Sequence, residues 1–144
     1  ARLAPFSSAA ILACPVEELM RLGLSGAKAR SFHAIALQLV QSPHYLDGLS
    51  ERDDSAARKQ LMALPGVGPW TAEIYLLTAL QRPDAWPWND LALRQAAANL
   101  FRWEDLPDAK TMQSLGQRFS PWRSVAARLL WSHYRSMKGL AQAI

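Results

Sequence analysis

The sequence predicts an all-α fold. Three observations carry that prediction: apolar residues recur at three- and four-residue spacing, Ser, Asp and Pro helix starts alternate with Gly and Pro stops, and no segment alternates with the period of a strand. Half of the 144 residues are apolar, enough to bury a core within one domain spanning 1–144. No apolar run approaches the roughly 18 residues that a membrane-spanning helix needs.

The elements follow in chain order. Cys14-Pro15-Val16-Glu17-Glu18 reads as a helix start with acids in its first turn and Gly23 as its stop. This reading sets aside residues 9–14 as the end of an export signal, because no initiating Met precedes them and Ser7 and Ser8 break the approach. Ser25 caps a longer helix with Phe32, Ile35, Ala36, Leu39 and Val40 at helical spacing and Pro43 beyond its end. Asp53, Asp54 and Ser55 start a helix running through Lys59 to about Ala63, closed by Leu64-Pro65-Gly66. Pro69 opens the next, with Trp70, Ile74, Leu77 and Thr78 on one face. After a loop holding Pro83 and Pro87, Asn89 and Asp90 cap a helix whose inner stripe is Leu93, Ala96, Ala97 and Leu100. Asp108 starts a helix containing Met112 and Leu115. Ser120-Pro121, a cap followed by a first-turn proline, opens the last helix, whose apolar side is Trp122, Val125, Ala126, Leu129 and Leu130.

Charge is uneven along the chain. Residues 111–144 hold Arg118, Arg123, Arg128, Arg135 and Lys138 without an acid, so +5 sits there and −1 on the rest. That segment is a candidate anion-facing surface, and for Arg123 and Arg128 both a phosphate contact and a solvated face stay open. Cys14 is the only cysteine, which excludes an internal disulfide, a four-thiolate zinc site and a four-cysteine iron–sulfur cluster, and suits a reducing compartment. His33, His44 and His133 lack metal-ligand spacing with the carboxylates, so no metal site is expected from them. Cys14 reads as a small hydrophobe; Glu73 and Tyr134 could face a binding cleft but read better as helix surface and core edge, and neither is taken as a site residue.

The string Leu64-Pro65-Gly66-Val67-Gly68-Pro69-Trp70-Thr71-Ala72 sits between two helices. Glycines let the backbone approach a partner closely, Val67 can pin the turn to the core, and free N–H groups at the start of the second helix suit an anion. A turn of this kind holds a phosphodiester without reading bases, though an ordinary connector has the same spacing. Further on, Trp86-Pro87-Trp88-Asn89-Asp90-Leu91 puts a carboxylate at a helix start, where the dipole favours its charged form, among aromatics. A plain helix cap would look the same.

Taken in order, Leu22-Gly23-Leu24-Ser25 with Lys28-Ala29, residues 64–72, Asp90-Leu91-Ala92-Leu93-Arg94, and Pro121-Trp122-Arg123-Ser124-Val125-Ala126 with Leu130-Trp131 resemble the helix-hairpin-helix DNA glycosylase superfamily, closely its DNA-3-methyladenine glycosylase II branch. The resemblance implies a two-lobed all-α fold with the hairpin at about 56–80, and a DNA cleft between the lobes. It implies an enzyme of base excision repair that flips an alkylated purine out of double-stranded DNA and hydrolyses its N-glycosidic bond. By motif position Asp90 would be the catalytic carboxylate, Trp70 and Trp131 would line the base pocket, and Gly66, Val67 and Gly68 would hold the DNA backbone. A monovalent cation bridging hairpin carbonyls and phosphate is implied as well; no other cofactor and no iron–sulfur cluster is expected. The expected state is a monomer in a bacterial-type cytoplasm, with the nucleoid.

The chemistry of those residue types agrees. Cleaving a deoxyribose–base bond develops positive charge on the sugar, which a fixed carboxylate stabilises while orienting water. An alkylated purine already carries positive charge, so it leaves without an enzymatic acid and can stack on indoles. Two departures from the family pattern refine the reading. Glycosylase/lyases place a nucleophilic lysine two residues beyond the last hairpin glycine, where this chain has Trp70, so a monofunctional hydrolase is expected. A further lobe segment has no counterpart before Ala1, so the fold is expected to be incomplete at its N-terminus. One alternative is a non-catalytic helix-hairpin-helix module that binds duplex DNA, which would need neither Asp90 nor the two tryptophans; another is a glycosylase for uracil or oxidised bases, whose neutral leaving groups demand more acid catalysis or hydrogen bonding.

Overall fold

The structure, a computed structural model, describes residues 7–139. They form two compact units that meet in sequence between Gly68 and Pro69, each entirely helical apart from turns. No helix among the described residues is long and apolar enough to cross a membrane.

The first unit contains α1 (Ser8–Ala13), α2 (Val16–Arg21), α3 (Gly26–Gln41) and α4 (Asp54–Met62), with a single 3₁₀ turn at Leu49–Glu51. Helix α1 was not expected from the sequence: six residues are too few for a period to show. The Ser7 side chain starts it by accepting from the Ala10 N–H at 3.2 Å. Pro15 takes the cap position of α2 rather than its first turn. Ser25 and Asp53 cap α3 and α4 as predicted. Ile11, Leu19, Ala29 and Ala36 form a core cluster of α1, α2 and α3, with Leu12, Cys14, Val16 and Leu24 packed around it, while Leu49, Ala57, Leu61 and Leu64 are buried in the rest of the unit. On α3 only Ala36 of the predicted stripe is fully buried, while Phe32 and Val40 are exposed.

The chain leaves α4 through a tight turn. Leu64 is buried, and its carbonyl accepts from the Val67 N–H at 3.1 Å. Gly66 has φ +78°, and a Cβ built there would stand 2.1 Å from the Ser31 hydroxyl oxygen, so both backbone and space require glycine. Gly68 has neither restriction, with nothing within 4 Å of its Cβ direction.

The second unit contains α5 (Pro69–Thr78), α6 (Leu91–Phe101), α7 (Ala109–Gln117) and α8 (Arg123–Met137). Helices α6 and α8 pack on each other; α6 buries Leu93, Ala96 and Ala97, and α8 buries Ser124, Ala127 and Leu130. Met112 and Leu115 bury the inner side of α7. Gly116, on the same helix, lies against Trp86: a Cβ there would come within 2.5 Å of the indole nitrogen, whose N–H donates to the Met112 carbonyl at 2.8 Å.

Three expectations are corrected in this unit. Helix α5 buries Ala72, Glu73, Leu76 and Leu77, leaving Trp70 and Thr78 exposed, because a carboxylate with a buried partner turns the helix away from its purely apolar register. Leu100, Trp122, Val125 and Leu129 are exposed rather than inward, and with Phe119, Ala126, Leu130 and His133 they line a groove of about 360 Å³. Helix α8 begins at Arg123 and not at Pro121, because its cap comes from another segment. Asp84 accepts from the Arg123 backbone N–H at 3.2 Å and from the Ser120 hydroxyl at 3.0 Å, so Ser120 is spent on Asp84 instead of capping.

Candidate active site

Asp90 is the N-cap of α6. Its Oδ1 accepts from the Leu93 N–H at 2.9 Å, the ordinary fate of an aspartate at that position. Two further donors make it unusual. The Trp70 indole N–H, from the first turn of α5, donates to Oδ2 at 2.8 Å, and the Trp131 indole N–H, from the middle of α8, donates to Oδ1 at 3.2 Å. Three elements thus converge on one half-buried carboxylate. Two lone-pair positions of Oδ1 are taken, while Oδ2 takes a single donor and can accept from a further group.

The loop that delivers Asp90 is held on the side away from solvent. Glu73, 6% exposed, accepts the Trp86 N–H on Oε2 at 2.8 Å. Ser124, 4% exposed, accepts the Ala85 N–H at 3.0 Å and donates to the Arg82 carbonyl at 2.6 Å, and its own N–H donates to the Pro83 carbonyl at 2.9 Å. Arg123 grips Asp84 with Nε at 2.7 Å and a terminal nitrogen at 2.8 Å. These bonds from the guanidinium hold the Asp84 carboxyl below its ordinary value, against a smaller opposing effect of burial.

Of the sequence-predicted residues, Asp90, Trp70 and Trp131 are therefore brought together within the second unit. Gly66, Val67 and Gly68 end the first unit, with Val67 and Gly68 half-buried. Two arginines of the basic segment are committed internally: Arg123 to Asp84, and Arg128 to the Leu77 carbonyl at 3.1 Å. Glu73, Asp84 and Ser124 carry no role in the sequence reading. Glu73 alone left a signal, as an acid inside the apolar run from Trp70 to Leu77.

A half-buried carboxylate at a helix start, bonded by two indole N–H groups, matches a site that stabilises developing positive charge beside aromatic faces. No protein-family model matches the chain. The Mycobacterium tuberculosis protein described as a probable bifunctional transcriptional activator/DNA repair enzyme AlkA is 40% identical over 112 residues, covering 77% of this chain and 21% of that protein. The putative DNA-3-methyladenine glycosylase YfjP of Bacillus subtilis is 28% identical over 115 residues, covering 80% of this chain and 40% of its own length. The solved 3-methyladenine DNA glycosylase of Archaeoglobus fulgidus superposes with a TM-score of 0.75 at 29% identity, over 91% of this chain and 43% of that one. The chain thus spans less than half the length of each of these relatives. Across that span the fold, the ordered motifs and the sequence identity agree, and the chain belongs to the helix-hairpin-helix DNA glycosylase superfamily, in its DNA-3-methyladenine glycosylase branch.

Proposed function

We propose that the protein is a monofunctional DNA glycosylase that removes alkylated purines from double-stranded DNA, with Asp90 as its catalytic carboxylate. The observation that carries the reading is the convergence of Trp70, Trp131 and the Leu93 N–H on Asp90. A module that only binds duplex backbone has no use for an acid held this way.

In this reading the carboxylate stabilises the positive charge that develops on the deoxyribose as the base departs, and the remaining acceptor position on Oδ2 orients the attacking water. Because its donors are fixed before the substrate arrives, little reorganisation is needed at the moment of reaction. The indole faces offer stacking to a cationic flipped base while their N–H edges stay on Asp90. Trp70 stands where an amine nucleophile would be needed for a lyase, so the reaction ends at hydrolysis. Gly66, Val67 and Gly68 hold a phosphate through the backbone. The open space over Gly68 leaves that backbone reachable, and a monovalent cation on the hairpin carbonyls would neutralise charge between them and the phosphate.

The test is Asp90→Asn, which keeps the shape and the helix cap. Single-turnover release of 3-methyladenine should fall by at least about 100-fold while duplex binding is retained. A wild-type rate in the variant would remove Asp90 from the chemistry and favour the binding module.

A further inference from the structure

Helices α5 and α8 each hold the loop from Arg82 to Asp90 at several points. Among these contacts each helix supplies one buried side-chain acceptor to the middle of the loop and one indole donor to its end. On α5 these are Glu73, which takes the Trp86 N–H, and Trp70, which donates to Asp90. On α8 they are Ser124, which takes the Ala85 N–H, and Trp131, which donates to Asp90. The members of each pair are three and seven residues apart, spacings that put side chains on one helix face. Between the two sets of contacts lie only Pro87, Trp88 and Asn89. Pro87 is buried, and the Trp88 and Asp90 N–H groups bond back to Trp86 and Pro87 at 2.8 and 2.9 Å. The short segment therefore has little freedom of its own, and where Trp86 sits decides where Asp90 sits.

We propose that Glu73 and Ser124 are positioning residues of the glycosylase reaction. They fix the backbone of Ala85 and Trp86 so that the Asp90 carboxylate meets both indole N–H groups at once. Glu73 is a buried carboxylate with no place in the chemistry of bond cleavage, and an apolar residue would fit the rest of the buried face of α5, which is Ala72, Leu76 and Leu77. An acid in that place has an acceptor to supply, and the Trp86 N–H receives it. This inference rests on the catalytic reading of Asp90.

The experiment places Glu73→Ala, Glu73→Gln and Ser124→Ala in the full chain, each with and without Asp90→Asn. It measures single-turnover excision of 3-methyladenine, duplex binding and the indole N–H resonances of Trp70 and Trp131, assigned through their Phe variants. Loss of either acceptor should lower the excision rate by about 10- to 100-fold with binding unchanged, since a displacement of about 1 Å at a reacting group costs that order of rate. Glu73→Gln, which keeps an acceptor oxygen, should restore most of the rate. In the Asp90→Asn background the same substitutions should add nothing, because they act through that carboxylate. Both indole resonances should move in Glu73→Ala and hold in Glu73→Gln, a readout that needs no turnover. If Glu73→Ala does not fold, Ser124→Ala reaches the same loop from the other helix and carries the test.

Wild-type excision with unmoved resonances in the Ala variants, alongside a crippled Asp90→Asn, would overturn the positioning role and leave the catalytic reading standing. Equal losses in both backgrounds would overturn it as well, by showing a general loss of folded protein. A wild-type rate in Asp90→Asn would instead sink the catalytic reading on which the inference rests.

Discussion

Trp70 and Asp90, twenty residues apart in sequence, are joined by an indole-to-carboxylate hydrogen bond of 2.8 Å. The bond gives the tryptophan an electrostatic duty in addition to any stacking on a base. The two duties separate experimentally, because Phe keeps a ring and loses the donor. Trp70→Phe and Trp131→Phe should each lower excision by about 10- to 100-fold, the factor expected when one hydrogen bond to a charged group is lost. Duplex binding should hold. Excision rates of the two Phe variants against wild type decide it, and unchanged rates would reduce both residues to aromatic surface.

Trp70 also bears on the reaction type. With an indole two residues past Gly68, no Schiff base should form, so borohydride should trap no protein–DNA adduct and strand scission should require added alkali. Denaturing gels of borohydride-treated reactions would reveal any adduct, and its presence would assign the nucleophile to a lysine elsewhere.

The two hairpin glycines should respond differently. Gly66→Ala meets both a left-handed backbone and the Ser31 side chain, and should cost about 1–3 kcal/mol of stability, visible as a lower Tm. Gly68→Ala finds open space and should melt like wild type. It should nonetheless weaken binding to every duplex sequence alike and reduce the salt slope by about one unit, corresponding to one phosphate contact. A salt titration with matched and alkylated duplexes measures this, and an unchanged slope would make the turn a simple connector.

Asp84 supplies a pH signature. Its carboxyl is held below the ordinary value chiefly by the Arg123 side chain, so its contribution to stability is fully present above the unfolded value of about 4 and is lost as pH falls through the lower folded value. At neutral pH Asp84→Asn should be less stable by about 1.5–3 kcal/mol, the range for hydrogen bonds to charged groups. The difference should shrink in acid. Denaturant unfolding of the two proteins between pH 7 and about pH 3 gives the comparison, and a pH-independent gap would show that the ion pair is not what Asp84 contributes.

What the sequence could and could not reveal follows from the range of the interactions involved. Ser25, Asp53, Asp90 and Asp108 cap helices that begin one residue later, because capping is settled within four residues of chain. The start of α8 was misread for the complementary reason: its cap is Asp84, thirty-nine residues away, and no local pattern announces it. The approach of Trp131 to Asp90 spans forty-one residues and could be inferred only through resemblance. On α5 and α8 apolar spacing overstated what is buried. Exposed Trp70, Trp122 and Leu129 satisfy the same periodicity as core residues, while Glu73 and Ser124 are buried because loop N–H groups needed acceptors.

Gly116 reverses a common rule of protein stabilisation. In the interior of an exposed helix, exchanging glycine for alanine ordinarily improves stability by about 0.5–1 kcal/mol, and a survey of this chain for such improvements would choose position 116 at once. Here the missing methyl is the space the Trp86 indole occupies. An added carbon would push that ring off the Met112 carbonyl, and the push would pass through Trp86 to the carboxylate four residues on. An alanine placed there would loosen the packing of Trp86 and lower stability, although the substitution looks harmless on a helical wheel.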